Sequence, residues 1–504
     1  MDIDPAYGSG WTGYTWNTEL FPDPPAFLAA LHERGLAVSL NVHPAEGVHA
    51  HEEAYPAIAR RMGIDPASEL PVSFDPTDPD FLEAYFEDHP LEEQGVDFWW
   101  LDWQQGGVTR VSGLDPLWLL NHFHYLDSGR ARRRPLTLSR YAGIGSHRYP
   151  VGFSGDTLIT WRSLDFQPYF TATASNAGYG WWSHDIGGHF KGYRDDELAT
   201  RWVQLGVFSP VNRLHSGLNP FNTKEPWRFP AAAEQVMKRF LRLRHQLLPY
   251  IATMNARAHF DGEPIVEPMY YDHPDSPEAY ACPNQFMFGS ELLVAPITTP
   301  TDRSTGLGRV KAWLPEGDWV DVFTGQSYTG GRTVYLHRDL TSIPVLARAG
   351  AIVPMLPADE TEHGDDRGEP GDGVDLPSVV EVRVFAGADG EFTLVEDRDD
   401  GRWARTRTAY GDRTGELTVH DVAGDATTLP DDRTYRVVVV RPSQDPVERV
   451  FALVDHAQMD FGVKESVYDL VRSSASPAAA VLALQSLDLS PMFLGAVSEI
   501  LLAR

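Results

Sequence analysis

Cysteine is all but missing. Cys282 stands alone among 504 residues, which excludes an intramolecular disulfide and suits a reducing, cytoplasmic setting. Positive charge is scarce too: 42 Lys and Arg face 71 Asp and Glu, a formal net charge of −29. So acidic a chain lacks the basic surface that nucleic acid or an anionic membrane requires, and neither is expected as a partner. No run of about 18 uncharged apolar residues is present, so no transmembrane helix is expected, and no secretory leader is read at the start. Metal-ligand spacing is also lacking. His43, His49 and His51 lie close together without the cysteines or carboxylates of a recognisable site, and they read as a solvated loop. No metal and no cofactor is expected.

What the chain has in quantity is aromatic surface: 11% of residues, with 14 Trp and 19 Tyr. Such rings dominate interior burial, and flat ones also suit sugar faces. Residues 1–260 alternate strand-like and helical segments. Strand candidates are 36–42, 96–102, 135–140, 179–185 and 205–211; helical stretches are about 24–35, 80–94, 115–128, 161–177, 195–204 and 231–255. The alternation predicts βα units on a parallel sheet. Polar side chains recur where the strands end: Asp4, His43, Asp102, Arg140, Asp185 and Arg213. In a (β/α)₈ barrel those ends share one face, the face that carries chemistry.

From about 263 the pattern becomes short β-type runs punctuated by Gly, Pro and Asp, which predicts β-sandwich structure. The expected fold is thus an α/β TIM-type barrel followed by two β-sandwich domains and a short helical tail. The boundaries read as barrel 1–260, proximal sandwich 261–356, an acidic Gly/Pro-rich linker 357–376, distal β-domain 377–445 and helical tail 446–504. The tail is expected to dock on its own core.

Four motifs carry chemistry. VDFWWLDWQQG at 96–106 is an apolar run delivering Asp102. It reads as a strand buried on both faces, although an aspartate capping the next helix would look the same. GFSGDTLITW at 152–161 holds Asp156 in a small-residue turn, where an N-cap is again the alternative. WWSHDIGGHF at 181–190 places Asp185 before two glycines. SPVNRLHS at 209–216 offers Arg213 and His215 two residues apart, hence on one side of an extended segment.

Taken in order, DID at 2–4, GWTGYTWN at 10–17, FPDP at 21–24, WWLDW at 99–103, SRYAG at 139–143, SGD at 154–156, DIGG at 185–188 and RLH at 213–215 resemble glycoside hydrolase family 31, the retaining α-glucosidase and α-xylosidase barrels. The resemblance covers about 1–260, and the β-regions that follow are similar to the family's C-terminal sandwiches. It implies Asp102 as nucleophile and Asp156 as acid/base, two carboxyls that retention needs about 5–5.5 Å apart. It further implies that Asp2, Ile3, Asp4, Trp100, Trp103, Arg140, Phe153, Asp185, Arg213 and His215 line the sugar subsite. For Asp185 and Arg213 the plain alternative is a structural ion pair.

The expected activity is exo-acting hydrolysis of terminal α-linked sugars from an oligosaccharide or glycoside. Two departures bear on specificity. The family's Asp-Met-Asn-Glu is here Asp102-Trp103-Gln104-Gln105, and its Trp-x-Gly-Asp-Asn is Phe153-Ser154-Gly155-Asp156-Thr157. Glucose specificity therefore does not carry over; α-xylosides, α-galactosides and N-acetyl-α-galactosaminides stay open, as does transfer to another sugar. By the same comparison DID ends the barrel's second strand, so the sequence reads as truncated at its N-terminal end. Such a barrel lacks a first strand, and an inactive carbohydrate-binding remnant is the alternative to an enzyme.

Overall fold

The computed structural model describes residues 13–87, 91–102, 109–130, 134–140, 144–149, 151–358, 376–441 and 445–503. They form two compact units: the described residues up to 155 together with 177–182, and the remainder from 156 onward.

The first unit is built on four parallel strands in the order β1 (Ser39–Val42), β2 (Phe98–Leu101), β3 (Thr137–Arg140) and β4 (Val151–Phe153). Helices α1 (Pro24–His32), α2 (Tyr55–Arg61), α3 (Pro79–Glu87) and α4 (Pro116–Ser128) occupy the connections around β1, β2 and β3. Helix starts are specified locally. Asp23 accepts from Ala26 N–H and Asp115 from Leu117 N–H, each with proline in the first turn, where a missing N–H costs nothing. Leu40, Val42, Trp99 and Leu101 join Leu28, Ile58, Phe81 and Leu120 in one core, so the strands bury apolar residues against their own helices. Beyond β4, Trp181 O accepts from Gly152 N–H. No side chain at 152 would fit, because a Cβ there would lie 2.7 Å from the Trp182 ring.

The second unit opens with the helices Trp161–Ala174, Asp196–Val207, Ala231–Gln246 and Leu248–Phe260. The last two replace the single helix expected at 231–255; Pro249, in the first turn of the second, sets the break. The strand expected at 205–211 is not formed. Leu205–Val207 instead end the helix that Asp195 caps, buried on all sides, and an apolar run buried all round looks alike in either state.

A six-stranded antiparallel sheet follows, in the order Ser327–Thr329, Asp318–Asp321, Val345–Arg348, Leu292–Val294, Phe286–Phe288, Val266–Pro268. Beside it lies the ribbon of Gly308–Leu314 and Arg332–Arg338, and Trp313, Trp319, Tyr328 and Leu336 fill their common core. Further sheets run from Ile352 to Val440. The tail folds into the helices Pro446–His456, Phe461–Ser473, Pro477–Leu484 and Pro491–Leu501, around Val450, Val467, Leu484, Phe493 and Val497. Most of the expected linker, 359–375, lies outside the described residues. Among the described residues no helix is long and apolar enough to cross a membrane.

Candidate active site

In the first unit three successive strands end at the same level. The register sets Leu101 beside Ser139 and Arg140 beside Phe153, so Asp102, Arg140 and Phe153 follow from sequence and pairing alone. Asp102 is buried, and its Oδ1 accepts from Arg140 Nε at 2.7 Å. The guanidinium lies 4.9 Å from the centre of the Phe153 ring, which meets Trp100 edge-on. Both charges are largely shielded from water, where a pair holds together but either partner alone is costly. Gly155 closes over this cluster: with φ +25, a Cβ would come 2.7 Å from Phe153 and 3.1 Å from Arg140 Nη1. Among the described residues, the helix that follows is capped by Asp115 and not by Asp102.

In the second unit Asp156 is likewise no cap; Thr160 caps the next helix through Ser163 N–H. Asp156 is partly exposed, with His189 Nε2 at 3.8 Å from its Oδ1. Asp185 is fully buried. Arg213 Nη2 donates to its Oδ1 at 2.9 Å and Thr157 N–H to its Oδ2 at 2.8 Å, so the ion pair weighed from sequence is formed. His215 stacks on His189 with ring centres 4.6 Å apart. Arg213 and His215 reach this cluster because Leu214 bridges in parallel to Ile186.

Gly187 and Gly188 take φ +88 and +76, and a Cβ on Gly188 would fall within 2.9 Å of Ile159. The turn is therefore written in glycine. Three main-chain bonds then fix residue 189: His189 N–H donates to Thr157 O, and its carbonyl accepts from Gly217 N–H and Asn222 Nδ2.

The electrostatics come from burial. His184 lies under Asp185, accepting at Nδ1 from Trp202 Nε1 and bonding Ser209 Oγ through Nε2. Burial first, and then the Arg213 charge, push its pKa down to about 3; it is a neutral imidazole. Lys224 Nζ donates to Gly187 O and Asn222 Oδ1. Burial lowers its pKa to about 8, with the Asp185 charge opposing. Asp156, Asp185 and His189 each offer an atom within 4.8 Å of the others, as a divalent cation would need. Both Asp185 oxygens are already engaged by Arg213 and Thr157.

The expected residues thus fall into two clusters: Asp102, Arg140, Phe153 and Trp100 in the first unit, and Asp156, Asp185, Arg213 and His215 in the second. Asp2, Ile3, Asp4 and Trp103 lie outside the described residues. The solvated-loop reading fails for His43, which is only 6% exposed: it follows β1 directly and heads a short helical turn. His189 and Lys224 were missed. His189 stood in plain sight inside DIGGHF, but its stacking partner is 26 residues away and no spacing rule joins them.

In the first unit, Asp102 and Arg140 at the ends of adjacent parallel strands make a polar site on the carboxyl edge of the sheet, the place where α/β barrels carry their chemistry. Comparison with known proteins gives the chain's lineage. The Glycosyl hydrolases family 31 TIM-barrel domain matches residues 1–254, and the family's C-terminal domain matches 262–353. The chain belongs to glycosyl hydrolase family 31. It is 27% identical to an alpha-xylosidase of Saccharolobus solfataricus over 77% of this chain and 54% of that protein. It is 30% identical to alpha-glucosidase 2 of Bacillus thermoamyloliquefaciens over 54% of this chain and 32% of the relative. Among solved structures, the family 31 alpha-xylosidase of Xanthomonas citri superposes with a TM-score of 0.72 at 26% identity, covering 86% of this chain and 51% of that one. The chain spans between about a third and about half the length of these relatives.

Proposed function

We propose that the chain is the catalytic part of a retaining α-glycosidase, with Asp102 as nucleophile and Asp156 as acid/base. The observation that carries this reading is the Asp102–Arg140 pair: a buried carboxylate at a strand end, bonded to one arginine. In the first step Asp102 attacks the anomeric carbon, the glycosidic C–O bond breaks, and Asp156 gives its proton to the departing oxygen. In the second, Asp156 takes a proton from water, the water oxygen attacks the same carbon, and the bond to Asp102 breaks. Two inversions leave the α-configuration unchanged.

The relatives that support this are an alpha-xylosidase and an alpha-glucosidase, so the sugar is a terminal α-xylosyl or α-glucosyl unit, to be separated with a panel of aryl α-glycosides. We assign the barrel to 1–260 and the later divisions to 261–356, 377–445 and 446–504. The single, buried Cys282 fits a reducing compartment such as the cytoplasm.

The test is a pair of variants. Asp102→Ala should remove turnover on every α-glycoside, to below about one part in a thousand. Asp156→Ala should lose kcat/KM on an α-linked disaccharide but keep much of it on the matching α-glycosyl fluoride, whose leaving group needs no proton, while kcat falls on both because water loses its base. Equal losses of kcat/KM on the two substrates would remove Asp156 from the role.

A further inference from the structure

Between the ribbon and the last tail helix, Pro491–Leu501, lies a cavity of about 260 Å³. Arg309, Arg332 and His337 of the ribbon face Gly495 and Glu499 of the helix across it, and no residue of the candidate active site lines it.

Three of its features ask for a partner. The first is His337. Its side chain is only 3% exposed, and its Nδ1 bonds Glu499 Oε2 at 2.9 Å. Nε2 is buried with no hydrogen-bond partner among the described residues, a state that costs stability unless something fills it. The second is Gly495. Glycine inside a helix is unfavourable, yet here it keeps room beside that nitrogen: a Cβ at 495 would lie 3.1 Å from Nε2. The third is charge. Arg309 stands directly across the ribbon from His337, on the same face. Its guanidinium lies 4.9 Å from the centre of the Tyr335 ring and makes no hydrogen bond or ion pair among the described residues. Arg332 gives its bonds to carbonyls, those of Thr329, Leu502 and Ala503. The acidic liner, Glu499, already accepts from Tyr328 Oη, His337 N–H, His337 Nδ1 and Arg338 Nη1.

We propose that this cavity binds a small oxyanion of the phosphate class, and that the bound anion clamps the tail helix to the ribbon. Guanidinium groups suit such an anion, and Arg309 and Arg332 bring charge that no carboxylate matches among the described residues. With the Nδ1 hydrogen given to Glu499, a protonated His337 presents Nε2–H to the anion. The clamp is the imidazole itself. An anion at Nε2 favours the charged ring, whose Nδ1–H then holds Glu499 of the tail as an ion pair. A cation would meet two arginines, and a neutral ligand would leave both charges unmatched.

Calorimetric titration of the full chain with inorganic phosphate, at fixed ionic strength, tests the site. Saturable binding is expected, weakened about ten-fold or more in Gly495→Ala and in Arg309→Met. Neither change removes a hydrogen bond among the described residues, so the fold should survive both. Lys464→Met, on the tail but not in the cavity wall, should bind as the unaltered chain does. No saturable binding, unchanged affinity in either cavity variant, or an equal loss in Lys464→Met overturns the proposal. Glycerol phosphate separates the two sources of the anion. Tighter binding of the ester names a phosphomonoester, tighter binding of the inorganic ion a free oxyanion, and both uphold the site. Limited proteolysis reads the clamp: phosphate should slow cutting within 445–503 in the unaltered chain and not in Gly495→Ala. Equal effects in the two chains overturn it.

Discussion

Single residues in this molecule are held by charge more than by contact. Arg140 donates to Asp102 and caps its burial with a guanidinium over Phe153. Arg140→Met should destabilise the protein by about 3–5 kcal/mol, because it strands a buried carboxylate. Adding Asp102→Asn should recover part of that loss, a non-additivity that urea unfolding of the four-member cycle measures. His184 makes a second residue-scale prediction. Its folded pKa of about 3 lies below the ordinary 6.5, so the unfolded chain takes up its proton first as pH falls. The stability it confers is complete above about pH 6.5 and is lost on the way to about pH 3, by at most roughly 1.4 kcal/mol per pH unit. The urea midpoint should therefore drop more between pH 7 and pH 5 in the native protein than in His184→Gln. Parallel drops would show that this imidazole is not the cause.

At the scale of elements, the turn after Asp185 is the least forgiving. Gly188→Ala forces a Cβ within 2.9 Å of Ile159 at φ +76, and about 1–3 kcal/mol of stability should go with it. Activity should fall together with the melting temperature. Elements were legible in the sequence wherever a local signal existed. The run 98–101 ending in Asp102, the helix opened by Asp115 and Pro116, and the glycine pair at 187–188 all announce themselves within ten residues. What stayed hidden was decided by tertiary contact. The apolar run at 205–207 became helix because it is buried on every side, which erases the periodicity that separates helix from strand. His43 looked like a loop residue, and only packing buries it. The caps of the described helices that follow Asp102 and Asp156 are Asp115 and Thr160.

Across the whole chain, one carboxylate gathers most of the side-chain bonds that fasten the helical tail to the β-structure, beside those of Arg332 to Leu502 O and Thr329 N–H to Ala503 O. Glu499 accepts from Tyr328 Oη, His337 N–H, His337 Nδ1 and Arg338 Nη1 at 2.7–2.9 Å. Burial alone would raise its pKa; the Arg338 charge, and then the His337 bond, bring it down to about 2. The docking energy this group supplies is thus present above about pH 4.5 and lost as pH falls through about 2. Glu499→Gln should cost about 2–4 kcal/mol of it at neutral pH. Limited proteolysis would then cut within 445–503 faster in the variant, and equal cutting rates would assign the docking to the apolar packing and the Arg332 and Thr329 bonds instead.

The turn that carries His189 has a consequence for how the protein can change over generations. The hydrogen bonds that fix position 189 are made by its main chain, to Thr157, Gly217 and Asn222, and the ring adds a stack on His215 that another flat side chain could supply. Selection can exchange the side chain beside Asp156 without rebuilding the loop. Position 189 is thus a place where descendants of this sequence can diversify cheaply, and the first codon to randomise in a directed search for altered pH response.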